Sequence, residues 1–166
     1  MNTNDAVKVY VPTGGSYTSF IESDAQLCKP FDEVLVDFVD AFSRRLFKDE
    51  MVRVYPDLSS LAFWMRKSQV LKLKADYQQQ NLGRVKVARG MVFHVAPSNV
   101  DTIFIYSLFL SLLSGNKNIV RISSKGSDRQ GIILRILNEL LAEKFSVLAQ
   151  TILILNYPHD EVVTTS

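Results

Sequence analysis

Two short polar segments of this 166-residue chain contain side chains that could take part in a reaction or bind a ligand. Asn99 presents an amide with N–H donors, which is suited to stabilising a developing oxyanion. Ser123, Ser124 and Lys125 provide hydroxyls and a cation near the start of a predicted helix, which is a reasonable cradle for a phosphate or a ribose. The alternative for both segments is structural: the asparagine makes a local turn hydrogen bond, and the serines cap a helix.

Both segments follow short apolar runs that are typical of β-strands. Residues 91–96 predict a strand buried on both faces, as in a parallel sheet. Residues 118–122 and 151–155 predict two further strands, and residues 103–114 and 132–141 predict the helices between them. This β-α-β-α-β order predicts an α/β fold, namely half of a doubly wound parallel sheet with right-handed crossovers. Ligands bind beyond the carboxyl ends of such strands, which is where both polar segments lie.

The chain is predicted to have two parts. Residues 1–85 are expected to form a mostly helical lead-in, and residues 86–166 the first part of a nucleotide-binding α/β domain. Apolar side chains recur at helical spacing over residues 31–47, and a Pro-Asp pair begins a second helix predicted over residues 56–77. Gly115 stands where a left-handed residue is expected after a helix.

The composition is that of a soluble globular protein, with 47% apolar residues, 22% charged residues and a net charge of +2. These values argue against bulk disorder, collagen-like repeats and a coiled coil, and the charge gives no field that would indicate nucleic acid. The most apolar stretch, residues 103–113, is much shorter than the roughly twenty residues that a membrane span needs. The N-terminus lacks the features of a signal peptide. We therefore expect a cytoplasmic protein without a membrane span.

Cysteine and histidine usage limits the chemistry further. Cys28 is the only cysteine, so an internal disulfide is impossible and a reducing compartment fits best. His94 and His159 are far apart and belong to no cluster with metal-ligand spacing. No metal site is expected.

A basic stretch separates the two predicted parts. Between Trp64 and Gly90, seven lysines and arginines stand against a single acid, Asp76. A solvated helix face followed by a polar connection is the first interpretation, and docking of an anionic cofactor is the second. Nucleic-acid binding ranks last, because Tyr77 is the only aromatic residue within the stretch that could stack on a base.

Two segments carry a resemblance to a known family, although a glycine-rich dinucleotide fingerprint and a P-loop are both missing. Residues 90–100 (GMVFHVAPSNV) and 112–125 (LLSGNKNIVRISSK) resemble the aldehyde dehydrogenase superfamily. Within it, they are most similar to the NADPH-dependent acyl-CoA reductases, which are typified by the fatty-acyl-CoA reductase of bacterial luminescence. Residues 61–67 resemble that group's helical segment ahead of the cofactor domain, and the resemblance covers roughly residues 55–160.

The resemblance implies a hydride transfer. In that superfamily a cysteine takes the acyl group as a thioester, and a nicotinamide cofactor then reduces it to an aldehyde. Asn99 matches the asparagine whose amide holds the oxyanion, so it is the expected catalytic residue. Ala96, Pro97 and Ser98, which lead into it, are expected to line the cofactor site.

The second matching segment implies NADP(H). Arg121 stands where dehydrogenases commonly carry a lysine that contacts the adenosine ribose; it keeps the charge and changes the geometry to a planar fork. Ser124 stands where NAD-preferring relatives carry a glutamate that binds the ribose hydroxyls. A small hydroxyl there, with Arg121 and Lys125 beside it, removes repulsion against a 2′-phosphate. Ser123 is expected to contribute to the same contacts.

The chain also departs from the family pattern. Asp101 replaces the proline that usually follows the asparagine by two residues, and Cys28 lies in the lead-in, away from the position of the family's nucleophile. The nucleophile, the general base and the pyrophosphate-binding turn lie downstream in the family. We therefore expect the N-terminal part of an acyl-CoA reductase, inactive alone, that would take acyl-CoA or another acyl thioester through a missing domain. A homo-oligomer is an open expectation, and a non-catalytic α/β interaction module is the alternative.

Overall fold

A four-stranded sheet forms the base of the fold in the computed structural model, which describes residues 7–24, 27–80, 82–96 and 102–157. The strands are β1 (Lys8–Val11), β2 (Met91–Val95), β3 (Lys117–Arg121) and β4 (Ile152–Asn156), in the order β1-β4-β3-β2. Strands β2, β3 and β4 are parallel, whereas β1 is antiparallel to β4. The predicted α/β class and the alternation of strands and helices are confirmed, and β1 is an additional edge strand.

The described residues form six α-helices, of which those over residues 33–48, 103–113 and 128–143 lie where the sequence predicts helices. The six helices are α1 (Tyr17–Glu22), α2 (Glu33–Lys48), α3 (Pro56–Trp64), α4 (Lys67–Gln80), α5 (Ile103–Leu113) and α6 (Asp128–Glu143). Within the described residues, none of these helices combines the length and the apolarity that crossing a bilayer requires.

The prediction of one helix over residues 56–77 is wrong, because the chain breaks after Trp64 and restarts as α4 at Lys67. The cause is a buried carboxylate from another helix. Asp40 on α2 is 7% exposed, and its Oδ1 accepts a hydrogen bond of 2.9 Å from the Lys67 backbone N–H. This contact satisfies one of the donors that a helix start leaves unpaired. Arg44 pairs with the same carboxylate at 2.6 Å.

Helix α5 is covered from two sides. One side packs on β2 and β3, and the other packs on α2 from the lead-in. The Phe109 ring of α5 makes edge-to-face contacts with Phe38 and Phe42 of α2, with centroid separations of 6.1 and 4.9 Å, a geometry that aromatic pairs favour. The lead-in and the parallel strands therefore share one hydrophobic core across residue 85.

The prediction that the first strand is buried on both faces is wrong. Met91, Phe93 and Val95 are 45%, 49% and 64% exposed, whereas the alternate residues of β2 face α5. Strand β2 is the edge of the sheet, and its second face has no covering helix in the described chain. On that same face, Ile119 of β3 and Leu153 of β4 are buried beneath Phe20 of α1.

A buried lysine holds α1 on the sheet. The Lys117 Nζ donates to the Ser23 carbonyl and hydroxyl, both at 2.9 Å, and also to the Phe20 carbonyl. These acceptors lie at the carboxyl end of α1, where a cation is favourable. Burial lowers the pKa of the Lys117 ammonium, although the nearby Asp24 carboxylate opposes that shift.

Gly115 provides a direct test of how the lead-in meets the sheet. It has a φ of +88°, and a Cβ built there would overlap the Cys28 carbonyl. We expect Gly115→Ala to lower the free energy of unfolding by about 3 kcal/mol, from left-handed strain plus overpacking. Urea denaturation followed by circular dichroism measures this change.

Two glycines serve as controls for Gly115→Ala. Gly83 has a φ of +76° with nothing within 4 Å of a Cβ, so Gly83→Ala should cost only about 1 kcal/mol of backbone strain. Gly131 lies inside α6 with the same open space, so Gly131→Ala should stabilise the chain by about 0.5–1 kcal/mol. Equal losses at Gly115 and Gly83 would contradict the overlap with Cys28.

Candidate functional site

The carboxyl ends of the parallel strands form the candidate site. Val95 of β2 pairs with Arg121 of β3, which pairs in turn with Leu155 of β4. The Ala96 backbone N–H then donates to the Arg121 carbonyl at 2.9 Å. Two of the predicted site residues, Ala96 and Arg121, are therefore neighbours at one edge of the sheet. Pro97, Ser98 and Asn99 lie outside the described residues, so their predicted roles remain predictions.

Arg121 extends over the sheet face that α5 and α6 do not cover. Its guanidinium carbon lies 4.8 Å from the centre of the Tyr157 ring, and its Nη2 donates to the Tyr157 carbonyl at 3.2 Å. Its Nε is buried and has no hydrogen-bond partner among the described residues. A buried donor without an acceptor costs about 1–3 kcal/mol, so an oxygen acceptor that reached this Nε would be bound favourably.

The loop from β3 to α6 places Ser124 and Lys125 in solvent. Ser123 Oγ accepts from the Lys125 backbone N–H at 3.2 Å. The start of α6 is instead capped by Ser127, whose Oγ accepts from the Gln130 N–H at 3.1 Å. The structural alternative for the serines, capping of α6, is therefore fulfilled by a different residue. The Ser124 hydroxyl and the Lys125 ammonium lie close to Arg121 along the chain and are accessible to a ligand.

A polar array that sequence reasoning missed joins β2, α5 and β3. His94 Nδ1 lies 2.7 Å from Ser107 Oγ, and His94 Nε2 lies 3.1 Å from Asn118 Oδ1. The Asn118 side chain is fully buried. Two signals in the sequence could have revealed the array. His94 and Val92 are two residues apart in a strand and therefore share one face, which is the face that α5 covers. Asn118 is a polar residue inside an apolar strand, where a hydrogen-bond partner is required.

Cys28 lies at the amino ends of the parallel strands, opposite to Ala96 and Arg121 at their carboxyl ends. Its carbonyl adjoins Gly115, two residues ahead of β3. Burial, followed by the charge of Asp32, raises the pKa of the Cys28 thiol above its usual value. A thiol is a weak nucleophile when its thiolate is disfavoured. Cys28 therefore has neither the position nor the electrostatics of a catalytic thiol at the candidate site.

Four side chains of the basic stretch form two groups. Lys67 pairs with Asp37 at 2.9 Å, and the Lys74 Nζ donates to the Phe31 carbonyl at 3.2 Å, so these lysines bind the lead-in together. A second group lines a surface pocket of about 460 Å³ whose walls include Lys86 and Arg89. This pocket is lined by residues that precede β2 and β3 in the chain, so it lies at the amino ends of these strands, opposite to Ala96.

The residues described provide no group of three or more histidine, cysteine, aspartate or glutamate side chains that could hold a metal ion. Among the described residues, the carboxyl ends of the strands present a guanidinium, an ammonium, hydroxyls and backbone groups. Such groups recognise phosphate and ribose oxygens.

The chain matches the model of a known protein family. The family model described as "Acyl-CoA reductase (LuxC)" matches residues 62–164, which is more than half of the chain. The match includes α4, the parallel strands and the whole carboxyl edge. No curated protein matches the chain significantly.

The Cys28 environment predicts slow thiol chemistry. We expect iodoacetamide at pH 8 to alkylate Cys28 several-fold more slowly than it alkylates glutathione, because the raised pKa leaves less thiolate. Asp32→Asn keeps a side-chain acceptor at the start of α2 and removes the smaller cause of the shift. It should accelerate alkylation only modestly, since burial is the larger cause. Quenched time points analysed by mass spectrometry give the rates, and a Cys28 that outpaced glutathione would contradict this assignment.

Proposed function

The chain belongs to the acyl-CoA reductase (LuxC) family, and on that basis we propose that it forms the cofactor-side part of an NADPH-dependent reductase. The reaction is the reduction of an acyl thioester to an aldehyde. The carboxyl edge of β2, β3 and β4 binds the adenosine half of the cofactor, and the loop after β2 supplies one donor to the reacting thioester.

Arg121 carries the proposal. It ends β3 at the edge where α/β sheets bind nucleotides, and its buried Nε lacks an acceptor among the described residues. The contact with Tyr157 holds the guanidinium in place, so little side-chain entropy is lost when a ligand binds. A ribose or phosphate oxygen of the cofactor would be the acceptor for the remaining N–H groups.

The preference for NADPH over NADH rests on the charges around Ser124. An exposed hydroxyl at this position leaves room for a 2′-phosphate, and Lys125 and Arg121 supply positive charge beside it. A carboxylate in the same place would repel that phosphate and accept the ribose hydroxyls instead. The three side chains together fit a phosphorylated ribose better than an unmodified one.

The reaction assigns a separate task to the loop after β2. The hydrogen bond from the Ala96 N–H to the Arg121 carbonyl holds Ala96 against the end of β3. Asn99, three residues on, donates its side-chain amide to the thioester oxygen as negative charge develops there. NADPH, when bound, supplies the hydride. The cysteine that carries the acyl group comes from elsewhere in the functional enzyme, because Cys28 lies at the opposite end of the strands.

Binding of the cofactor's adenosine half tests the role of Arg121. The probes are 2′,5′-ADP, which carries the 2′-phosphate of NADPH, and 5′-AMP, which lacks it. Arg121→Ala should weaken 2′,5′-ADP binding about tenfold or more in calorimetry, since a charge-assisted hydrogen bond contributes about 1.5–3 kcal/mol. Arg53→Ala, in the turn between α2 and α3, is the matched control and should bind normally. Equal binding by the two variants would exclude Arg121 as a ligand, and binding of neither probe by the unsubstituted chain would favour the interaction module.

The nucleotide preference is tested by one reversal. Ser124→Glu should lower the affinity for 2′,5′-ADP at least fivefold and leave 5′-AMP binding much less affected, because the new carboxylate repels the 2′-phosphate. Since Ser124 is exposed, this substitution should leave the unfolding transition nearly unchanged. An equal loss for both probes would contradict recognition of the 2′-phosphate at Ser124.

Turnover by the purified 166-residue chain should be undetectable. Absorbance at the NADPH maximum, followed with a series of acyl-CoA substrates, measures this directly. A rate above the protein-free background would overturn the placement of the nucleophile outside this chain. Repeating the assay with Cys28→Ser would then decide whether Cys28 is that nucleophile.

A further inference from the structure

The polar array of Ser107, His94 and Asn118 has the parts of an activated nucleophile, at a place separate from the proposed cofactor edge. It joins an exposed hydroxyl, a half-buried imidazole and a buried amide drawn from α5, β2 and β3. We propose that Ser107 is an acyl acceptor, with His94 as its general base and Asn118 orienting the imidazole. The substrates are activated esters and thioesters of aliphatic acids. This activity needs neither NADPH nor hydride transfer.

The hydrogen bonds of Asn118 determine which imidazole nitrogen carries the proton. Its Nδ2 donates to the Asn116 carbonyl at 2.8 Å, which fixes the orientation of the amide. Its Oδ1 therefore faces His94 Nε2 at 3.1 Å, and since a carbonyl oxygen only accepts, Nε2 must be the protonated nitrogen. In that tautomer the unprotonated Nδ1 presents its lone pair toward Ser107.

Ser107 is placed to lose its proton to that lone pair. The Oγ lies 2.7 Å from Nδ1, which is within the range required for transfer to a general base. The nucleophile thus contacts a base, and the base contacts an orienting group, which is the arrangement that activates serine hydroxyls. Asn118 is fully buried and His94 is half-buried, so the base is held while the nucleophile remains accessible.

The surface around Ser107 selects the substrate class. Ile103 and Leu110 lie on the same face of α5, at four residues before and three after, and they are 47% and 55% exposed. An exposed serine between two aliphatic side chains suits an acyl group whose chain lies along the helix. No charged residue occurs within α5, so a neutral aliphatic chain fits this face better than an anionic group.

The step conserves atoms and charge. Ser107 Oγ attacks the acyl carbonyl carbon, the new C–O bond forms, and the bond to the leaving alkoxide or thiolate breaks. The hydroxyl proton moves to His94 Nδ1 and then to the leaving group. Water that the same base deprotonates would attack the seryl ester, regenerate Ser107 and release the carboxylic acid.

A pair of cysteine substitutions tests the activation without an acyl substrate. Ser107→Cys and Ser114→Cys are compared in a Cys28→Ser background. Ser114 is a matched control because it is exposed at the end of the same helix and its hydroxyl donates to the Leu110 carbonyl, not to an imidazole. At pH 7, iodoacetamide should alkylate the cysteine at 107 at least fivefold faster than the cysteine at 114. Adding His94→Gln should remove the difference, and equal rates without it would overturn the role of His94.

A second experiment measures acyl transfer itself. The Cys28→Ser chain is incubated with p-nitrophenyl octanoate or p-nitrophenyl acetate, and the adduct is located by peptide mass spectrometry. We expect one acyl group on Ser107, formed several-fold faster from the octanoate because of Ile103 and Leu110. Ser107→Ala should abolish this adduct, and Ser114→Ala should leave it unchanged. Acylation confined to lysines, or a rate that Ser107→Ala does not alter, would overturn the proposal.

The test of Ser107 acylation is independent of the test of the proposed reductase function. Loss of 2′,5′-ADP binding in Arg121→Ala reports only on the cofactor edge, whereas seryl acylation reports only on α5. Ser107→Ala should bind 2′,5′-ADP with unchanged affinity. Coupled loss of both properties in that variant would indicate a folding defect, which a circular dichroism spectrum identifies, and Ser107→Cys then carries the test.

Discussion

The burial of α5 is the constraint on which the described fold depends. This helix is apolar around nearly its whole circumference, so it must be covered on more sides than the sheet alone can provide. The sheet covers one side, and the Phe38 and Phe42 rings of α2 cover another through Phe109. The helical lead-in is therefore part of the same core as the parallel strands. Neither part could bury its apolar surface if the other were removed.

Strand β3 shows how one face of one strand serves two purposes. Lys117 begins the strand and Arg121 ends it, and both cations point to the face covered in part by α1. The Lys117 ammonium donates hydrogen bonds to two carbonyls and one hydroxyl at the end of α1, and these bonds hold that helix on the sheet. Arg121 receives only the Tyr157 carbonyl, and its Nε is left without an acceptor in the described chain. Strand β3 therefore carries an anchoring ammonium at one end and, at the other, a guanidinium whose Nε has no acceptor among the described residues.

Helices and strands that depend on local periodicity could be predicted from the sequence, whereas features that depend on residues distant in the chain could not. Alternation and helical spacing identified α2, α5, α6 and the three parallel strands, because the burial of apolar side chains contributes most to the stability of each. The break before Lys67 depends on Asp40, 27 residues earlier, and no local pattern encodes that contact. The exposure of Phe93 depends on how many strands and helices surround β2, which the residues of β2 alone do not determine. The hydrogen bonds of His94 require α5 and β3 to be in place first.

Strand β2 connects the candidate site with the array around His94. His94 pairs in register with Val120, yet its side chain reaches Asn118, two residues back on the same face. A slip of one residue would turn His94 to the opposite face and bury the Asn118 amide without this partner. The polar contact therefore favours one register among those that apolar packing alone would permit. That register also sets the hydrogen bond from the Ala96 N–H to the Arg121 carbonyl, three residues before Asn99 in the sequence. A polar residue inside an apolar strand here has a physical reason beyond its own chemistry, since it fixes the geometry at the end of the strand.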